Sequence, residues 1–141
     1  MQLEELADVE LTYTSIEVLD YAVGGQIYGT MEGSLSGDRV AGSIRLTNLA
    51  TRRSDNVNLP TLRGILETGD GAVVWVEIDG IAFLREADNA RVFVSSFRCR
   101  TGDERYAWLN TTFAILEGVL DKVAVGGVAR GRLHACSATV T

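Results

Sequence analysis

Apolar and polar residues alternate along much of this chain, and the alternating stretches are short and separated by glycine-rich or polar turns. Side chains on a β-strand point to opposite faces with a period of two, so the pattern predicts strands that bury one face. Val9, Leu11 and Tyr13 fit that period, whereas Leu3, Leu6 and Val9 fit a helical stripe; a strand is expected from about Val9. Ile16 to Asp20 continues that strand or forms its partner, and Gly24-Gly25 marks a turn. Gln26 to Ser36 sets Ile27, Gly29, Met31 and Gly33 on one side. In Val40 to Asn48, Ile44 and Leu46 alternate with Ser43, Arg45 and Thr47. The polar run from Leu49 to Asn58 reads as a loop, with Pro60 just before the next strand, a position that proline tolerates.

The clearest element is a hairpin within Leu62–Gly80. Its strands are Arg63–Thr68 and Ala72–Asp79, joined by Gly69-Asp70-Gly71, which supplies the positive φ angles of a tight turn. With a three-residue loop, Leu66 faces Val74 and Gly64 faces Val76 on one surface. Glu67, Ile65 with Trp75, and Arg63 with Glu77 share the other. Which surface faces inward stays open at this stage.

Further on, Ile81 to Leu84 reads as a short strand, Arg91 to Arg100 as a strand with Phe93, Ser95 and Phe97 on one face, Tyr106 to Leu116 as a long strand, and Val128 to Val140 as the last. Fifteen glycines against one proline fit many strands and tight turns. The expected fold class is all-β: a single antiparallel β-barrel domain over residues 1–141, of about 8–10 strands. A barrel of about eight strands either fills its interior with side chains or holds one small ligand.

Composition narrows the function. The 141-residue chain is long enough to bury a core without disulfides or metals. Cys99 and Cys136 stand far apart, in keeping with reduced thiols and a cytoplasmic protein. A net charge of −6 lacks the basic footprint that nucleic acid requires, and no apolar run approaches a membrane span, so neither a nucleic-acid nor a membrane partner is expected. His134 is the lone histidine and the carboxylates have no metal-ligand spacing, so no metal site is expected. The glycine pairs Gly24-Gly25 and Gly126-Gly127 lack a phosphate-binding context, and no GxSxG elbow accompanies the serines.

Two constellations carry candidate chemistry. On a strand, Tyr106, Trp108 and Asn110 share a face: two amphipathic aromatics and an amide, suited to stacking a flat ligand and bonding its oxygen. The plain alternative is an ordinary core with its polar tips bonded to backbone. On the mixed face of the hairpin, Arg63, Glu67, Trp75 and Glu77 would line a charged lumen if that face points inward. If it points outward it is a solvated surface, and Leu66, Val74 and Val76 fill the barrel.

Several short motifs run in order between Gly24 and Gly118: Gly29-Thr30-Met31-Glu32-Gly33-Ser34-Leu35-Ser36-Gly37, Arg53-Ser54-Asp55, Leu66-Glu67-Thr68-Gly69-Asp70-Gly71-Ala72, Phe97-Arg98, and Tyr106-Ala107-Trp108-Leu109-Asn110. In these the chain resembles the family known as domain of unknown function 3237, or uncharacterised protein family 0311. It departs from that family's pattern at Ile44 to Asn48, where a glycine pair is common. The resemblance implies a barrel of the allene oxide cyclase and dirigent kind, calycin-like in shape. It also implies a hydrophobic or aromatic metabolite as partner and, for some relatives, cyclisation or isomerisation without a cofactor.

Three functions are carried forward. The first is a cofactor-independent isomerase or cyclase in which Trp75, Tyr106 and Trp108 shape and stack the substrate. Asn110 and Arg63 would hold an oxygen there, and Glu77 or Glu67 would move a proton. The second is a non-catalytic carrier of the same ligand, which needs the aromatics and no proton-moving carboxylate. The third is a filled barrel whose outer strands form a homo-oligomer.

Overall fold

The hairpin turn sets the register of two strands that carry fully buried core residues. Thr68 donates from its hydroxyl to Asp70 Oδ1 at 2.6 Å and accepts from the Ala72 amide at 2.9 Å, while Gly71 takes a φ of +90° that an L side chain resists. The strands on either side, Thr61–Thr68 (β6) and Val73–Arg85 (β7), then pair Leu66 with Val74, Gly64 with Val76, Ile65 with Trp75 and Arg63 with Glu77. This is the register expected from a three-residue loop. Leu66, Val74 and Val76 are fully buried and Trp75 is 43% exposed, so the apolar face points into the molecule and the mixed face to solvent.

The remaining strands are Gln2–Asp20 (β1), Gly25–Ser36 (β2), Gly42–Asn48 (β3), Thr51–Arg52 (β4), Asn58–Leu59 (β5), Ala90–Arg100 (β8), Phe113–Leu120 (β9) and Val128–Ser137 (β10) in the computed structural model, which describes residues 1–141. All pair antiparallel. The ring β1–β10–β9–β8–β7–β6–β3–β2 closes on β1 as an eight-stranded barrel, so no long edge is left unpaired. The short strands β4 and β5 bridge β2 to β7 across one end, through Gly25 opposite Arg52 and Asn58 opposite Ala82.

Several elements differ from the sequence pattern: the expected loop Leu49–Asn58 carries β4 and the start of β5, and the last strand ends at Ser137 rather than Val140. β1 begins at Gln2, because residues 2–5 pair with β10 from Ser137 backward although they carry no alternation of their own. A bulge between Glu5 and Ala7 then lets both Leu6 and Ala7 turn inward. β7 runs unbroken through Gly80 to Arg85, held on its far side by β8. Tyr106 to Leu116 is not one strand: Glu104–Thr111 forms two short 3-10 turns that meet at Tyr106, and β9 starts at Phe113. Local side-chain bonds outcompete the ladder here. Asp103 caps the first turn by accepting from the Arg105 amide at 3.0 Å, and Asn110 exchanges two hydrogen bonds with the Thr101 backbone, at 2.8 and 3.0 Å.

These turns close the barrel at one end. Leu109 is buried against Leu6, Leu35, Val40, Leu66, Phe97 and Leu133, and a space of only about 10 Å³ remains there. The closed end is therefore a packed core. The opposite end, bridged by β4 and β5, is not filled.

Candidate functional site

Strand alternation builds the walls of the open end. Leu11 and Tyr13 on β1, Ile27 and Met31 on β2, Leu62 on β6, Ile78 and Ala82 on β7, Leu116 on β9 and Ala129 on β10 turn inward around a cavity of about 60 Å³. Pro60 and Ala50 from the bridging segment and Val123 from the 121–127 loop complete its rim. That volume seats a small ring or a branched end rather than a whole drug-sized molecule, for which several hundred Å³ is usual.

Polar groups interrupt this apolar wall at few points. Tyr13 is 3% exposed, and its ring lies over Gly29 of the neighbouring strand, where a Cβ would come within 2.9 Å of the ring edge. Asn48 donates from Nδ2 to the Tyr13 phenolic oxygen at 2.8 Å and accepts from the Thr61 amide through Oδ1 at 3.3 Å. The phenol therefore serves as an acceptor in the only hydrogen bond it makes with the protein, and its own proton is uncommitted. Burial raises the Tyr13 pKa above the ordinary tyrosine value, with the Asn48 bond opposing, so at neutral pH it stays a donor.

Arg91, on β8, is 9% exposed and reaches across to the bridging segment. Its Nη1 donates to the Asn56 carbonyl at 2.6 Å and its Nη2 to Asn56 Oδ1 at 3.3 Å. Asn56 holds a φ of +65°, a left-handed position that asparagine tolerates. No carboxylate pairs with Arg91. Burial, and secondarily the positive charge of Arg52, hold its pKa below the usual arginine range. Asn58, next along the same segment, is 6% exposed, and its Oδ1 is buried with no hydrogen-bond partner. An orphaned buried acceptor costs on the order of 1–3 kcal/mol, which a ligand donor would recover. Ser95, 3% exposed, adds a hydroxyl to the same wall.

The residues expected to form a site lie elsewhere. Arg63, Glu77 and Asp79 form an outer-surface cluster, with Arg63 Nε 3.4 Å from Glu77 and its Nη2 3.1 Å from Asp79, and Trp75 Nε1 donates to Glu77 at 3.3 Å. Glu67 pairs with Arg45 at 3.1 Å, also outside. The alternation that sends Leu66, Val74 and Val76 inward sends all four of these expected residues outward. Tyr106 donates to both Asp70 oxygens at 3.0 Å, Trp108 lies under the Arg39 guanidinium at 3.9 Å, and Asn110 is bound to Thr101. Those three secure the closed end and do not line the cavity. Trp75, Glu77 and Asn110 do meet, with Arg98 and Phe113, along an open hollow on the outer wall.

Elsewhere, Cys99 is pushed by burial up to about 12, which keeps its thiol protonated. His134 lies 3.5 Å from Glu117 on the outer wall, and Cys136 Sγ contacts the His134 carbonyl. No helix is long and apolar enough to cross a membrane.

Part of the lumen site has a sequence signal. Asn48 shares its face with Ile44 and Leu46, and Arg91 shares its face with Phe93, Ser95 and Phe97, so both are polar residues on otherwise core-facing sides. Asn58 lies in the loop run, where no periodicity marks it.

No family model and no curated protein sequence matches the chain. Solved structures do. A β-barrel-like protein from Acinetobacter baumannii AYE superposes with a TM-score of 0.81 at 19% identity, over 95% of this chain and 94% of that one. A conserved protein of unknown function from Rhodopseudomonas palustris gives 0.80 at 17% identity, over 95% and 96%. An enzyme from Penicillium herquei gives 0.69 at 20% identity, over 94% and 93%. Likeness at this level of identity shows that the chain shares their barrel fold.

Proposed function

We propose that the barrel binds a small hydrophobic or aromatic metabolite in the open end of its lumen. The observation that carries the reading is Asn58 Oδ1, a buried acceptor without a partner on the wall of a mostly apolar cavity. Apolar walls with a few convergent polar groups are what a small-molecule site requires. The ligand seats a ring or branched end among Leu11, Ile78 and Leu116 and keeps its remainder at the rim. Membership of the domain of unknown function 3237 family and a cytoplasmic setting belong to the same proposal, and the closed barrel is in keeping with the first.

Tyr13 favours a catalytic form of this reading. No carboxylate lines the cavity, so the proton movers expected at Glu67 and Glu77 have no access to a ligand there. The uncommitted Tyr13 proton is a donor within reach, beside the Ser95 hydroxyl and the Arg91 guanidinium. An isomerase or cyclase in this barrel works mainly by holding one reactive conformer, with Tyr13 hydrogen-bonding the oxygen on which charge develops. A carrier would use the same walls and leave its ligand unchanged.

The test is a titration with 4-ethylphenol, a one-ring probe with a hydroxyl donor, followed by the backbone amide shifts of Tyr13, Asn48, Asn58 and Ala82. Saturable shifts confined to these amides, lost in Ala82→Leu, support the reading. No saturable shift at the open end overturns it.

A further inference from the structure

We infer that the ligand of this cavity is an anion, a ring-bearing carboxylate or comparable ionised oxygen acid whose charged oxygens meet Arg91 at the rim. The inference rests on the lumen-binding reading and adds the ligand's charge. Its first ground is how the arginines are used. Most are ion-paired on the outside of the barrel, as Arg45 is with Glu67 and Arg132 with Glu5 and Asp8. Arg91 is buried, lines the cavity and has no carboxylate partner, although the chain carries a net charge of −6. A guanidinium removed from water without a counter-charge is an expensive arrangement that a bound anion relieves.

The second ground is what the guanidinium has left to give. Two of its N–H groups are spent on Asn56, at 2.6 and 3.3 Å, and these bonds fix the plane of the fork. A guanidinium carries five N–H donors in a rigid geometry, so the rest remain for planar recognition of a carboxylate. The Asn56 contacts are to neutral oxygens, which orient the group without neutralising it. Arg52 is the charge that bears on Arg91, and it is also positive; its own partner Asp20 lies on the exposed side. Arg52 is thus already paired, and Arg91 is left as the cation on the cavity wall without a counter-charge, in a protein that is acidic overall.

The third ground is the complementary demand of Asn58. Its Oδ1 needs a donor, which a carboxylate alone cannot supply. The ligand class that satisfies both residues is a hydroxylated or amide-bearing acid, with the acid on Arg91, the donor on Asn58 and the ring or branched body on the apolar wall. Tyr13 can donate to a further oxygen of the same molecule.

The test compares benzoate with benzamide, which have nearly the same shape and differ in charge and in the amide's N–H donors, in the full-length protein by the same amide shifts; the donors favour benzamide at Asn58, so tighter benzoate binding reports the charge. Benzoate is expected to bind at least about ten-fold tighter, in line with a charge-assisted hydrogen bond, and Arg91→Gln is expected to erase the difference while Arg91→Lys keeps part of it. The comparison within the unaltered protein decides even where a variant folds poorly. If 4-ethylphenol and benzamide bind and benzoate binds no tighter than benzamide, the anion is overturned and the lumen reading stands. If none of the three binds at the open end, both fall.

Discussion

The Asn48 side chain donates to the Tyr13 phenolic oxygen across 2.8 Å, joining residues that are 35 positions apart and both buried at the open end of the barrel. Asn48 is itself held by the Thr61 amide, so the pair is fixed from the β6 side of the lumen. Tyr13→Phe leaves the Asn48 amide buried without an acceptor and is expected to cost about 1–3 kcal/mol in urea denaturation. An unchanged midpoint would show that the amide has found another partner.

The same phenol has a pH signature. Its folded pKa is raised by burial, so the folded state holds the proton more tightly than the unfolded chain does. The corresponding stability is intact below the ordinary tyrosine value of about 10 and declines as pH rises from there through the raised value. Wild type is expected to lose more stability than Tyr13→Phe between neutral and strongly alkaline pH. Parallel curves would remove Tyr13 as the source.

The two ends of the barrel should answer differently to changes in volume. Leu109→Ala empties a packed site at the closed end and is expected to destabilise by about 2–4 kcal/mol. Ala82→Val adds two methyl groups beside an existing space of about 60 Å³ and is expected to change stability by less than about 1 kcal/mol. Equal costs at the two positions would mean that the open end is as tightly packed as the closed one.

Much of the barrel is legible in the sequence because strand period and turn chemistry are local. Gly69-Asp70-Gly71 determines the loop length, and the loop length determines which residues of β6 and β7 face each other. The choice of face is also carried by the pattern, since Leu66, Val74 and Val76 are the more apolar set. A site was expected on the opposite set because Arg63, Trp75 and Glu77 carry richer chemistry, but chemistry does not decide which side of a strand is buried. Tyr106 to Asn110 misleads for another reason: its aromatics have strand propensity, while Asp103 and Asn110 capture backbone groups and bend the segment over the barrel end. The site at Asn58 and Arg91 depends on closure of the ring, which joins residues far apart in sequence.

Glu77→Gln separates the two placements. The Glu77 carboxylate lies on the outer wall, paired with Arg63 at 3.4 Å and about a third exposed, where such pairs contribute about 0–1 kcal/mol. The variant is expected to keep wild-type stability within that margin and to bind 4-ethylphenol as the wild type does. Lost binding with an intact fold would bring the outer cluster back into the mechanism.

Two glycines of the hairpin predict opposite outcomes for the same substitution. A Cβ on Gly64 would lie 2.0 Å from the Arg45 carbonyl oxygen, which belongs to the β3 backbone and cannot withdraw without breaking the ladder. Gly64→Ala is expected to destabilise by more than about 3 kcal/mol or to prevent folding. Gly69 has nothing within 4 Å of the same atom and no positive φ, so Gly69→Ala is expected to be neutral or slightly stabilising through the unfolded state. Thermal melts of the two proteins would check the contrast, and a benign Gly64→Ala would contradict the strand spacing.

Asp70 ties the hairpin turn to the closing 3-10 turns and should make that end of the barrel acid-sensitive. It accepts from the Thr68 hydroxyl at 2.6 Å and the Tyr106 phenol at 3.0 Å, and faces Arg105 at 3.3 Å. The Thr68 bond, then the Tyr106 bond and the Arg105 charge, hold its carboxyl below the ordinary aspartate value. A depressed folded pKa contributes stability that is complete above the unfolded value of about 3.9 and is lost as pH falls through the depressed one. Asp70→Asn is expected to lower the Tm by roughly a few degrees at neutral pH and to converge with wild type under acid. Asp55, Asp88 and Asp103 are also depressed and titrate in the same direction, so the difference between the two proteins, rather than either curve alone, isolates Asp70. A difference that stays constant from neutral to acid pH would assign the loss to the amide's shape and not to the missing charge.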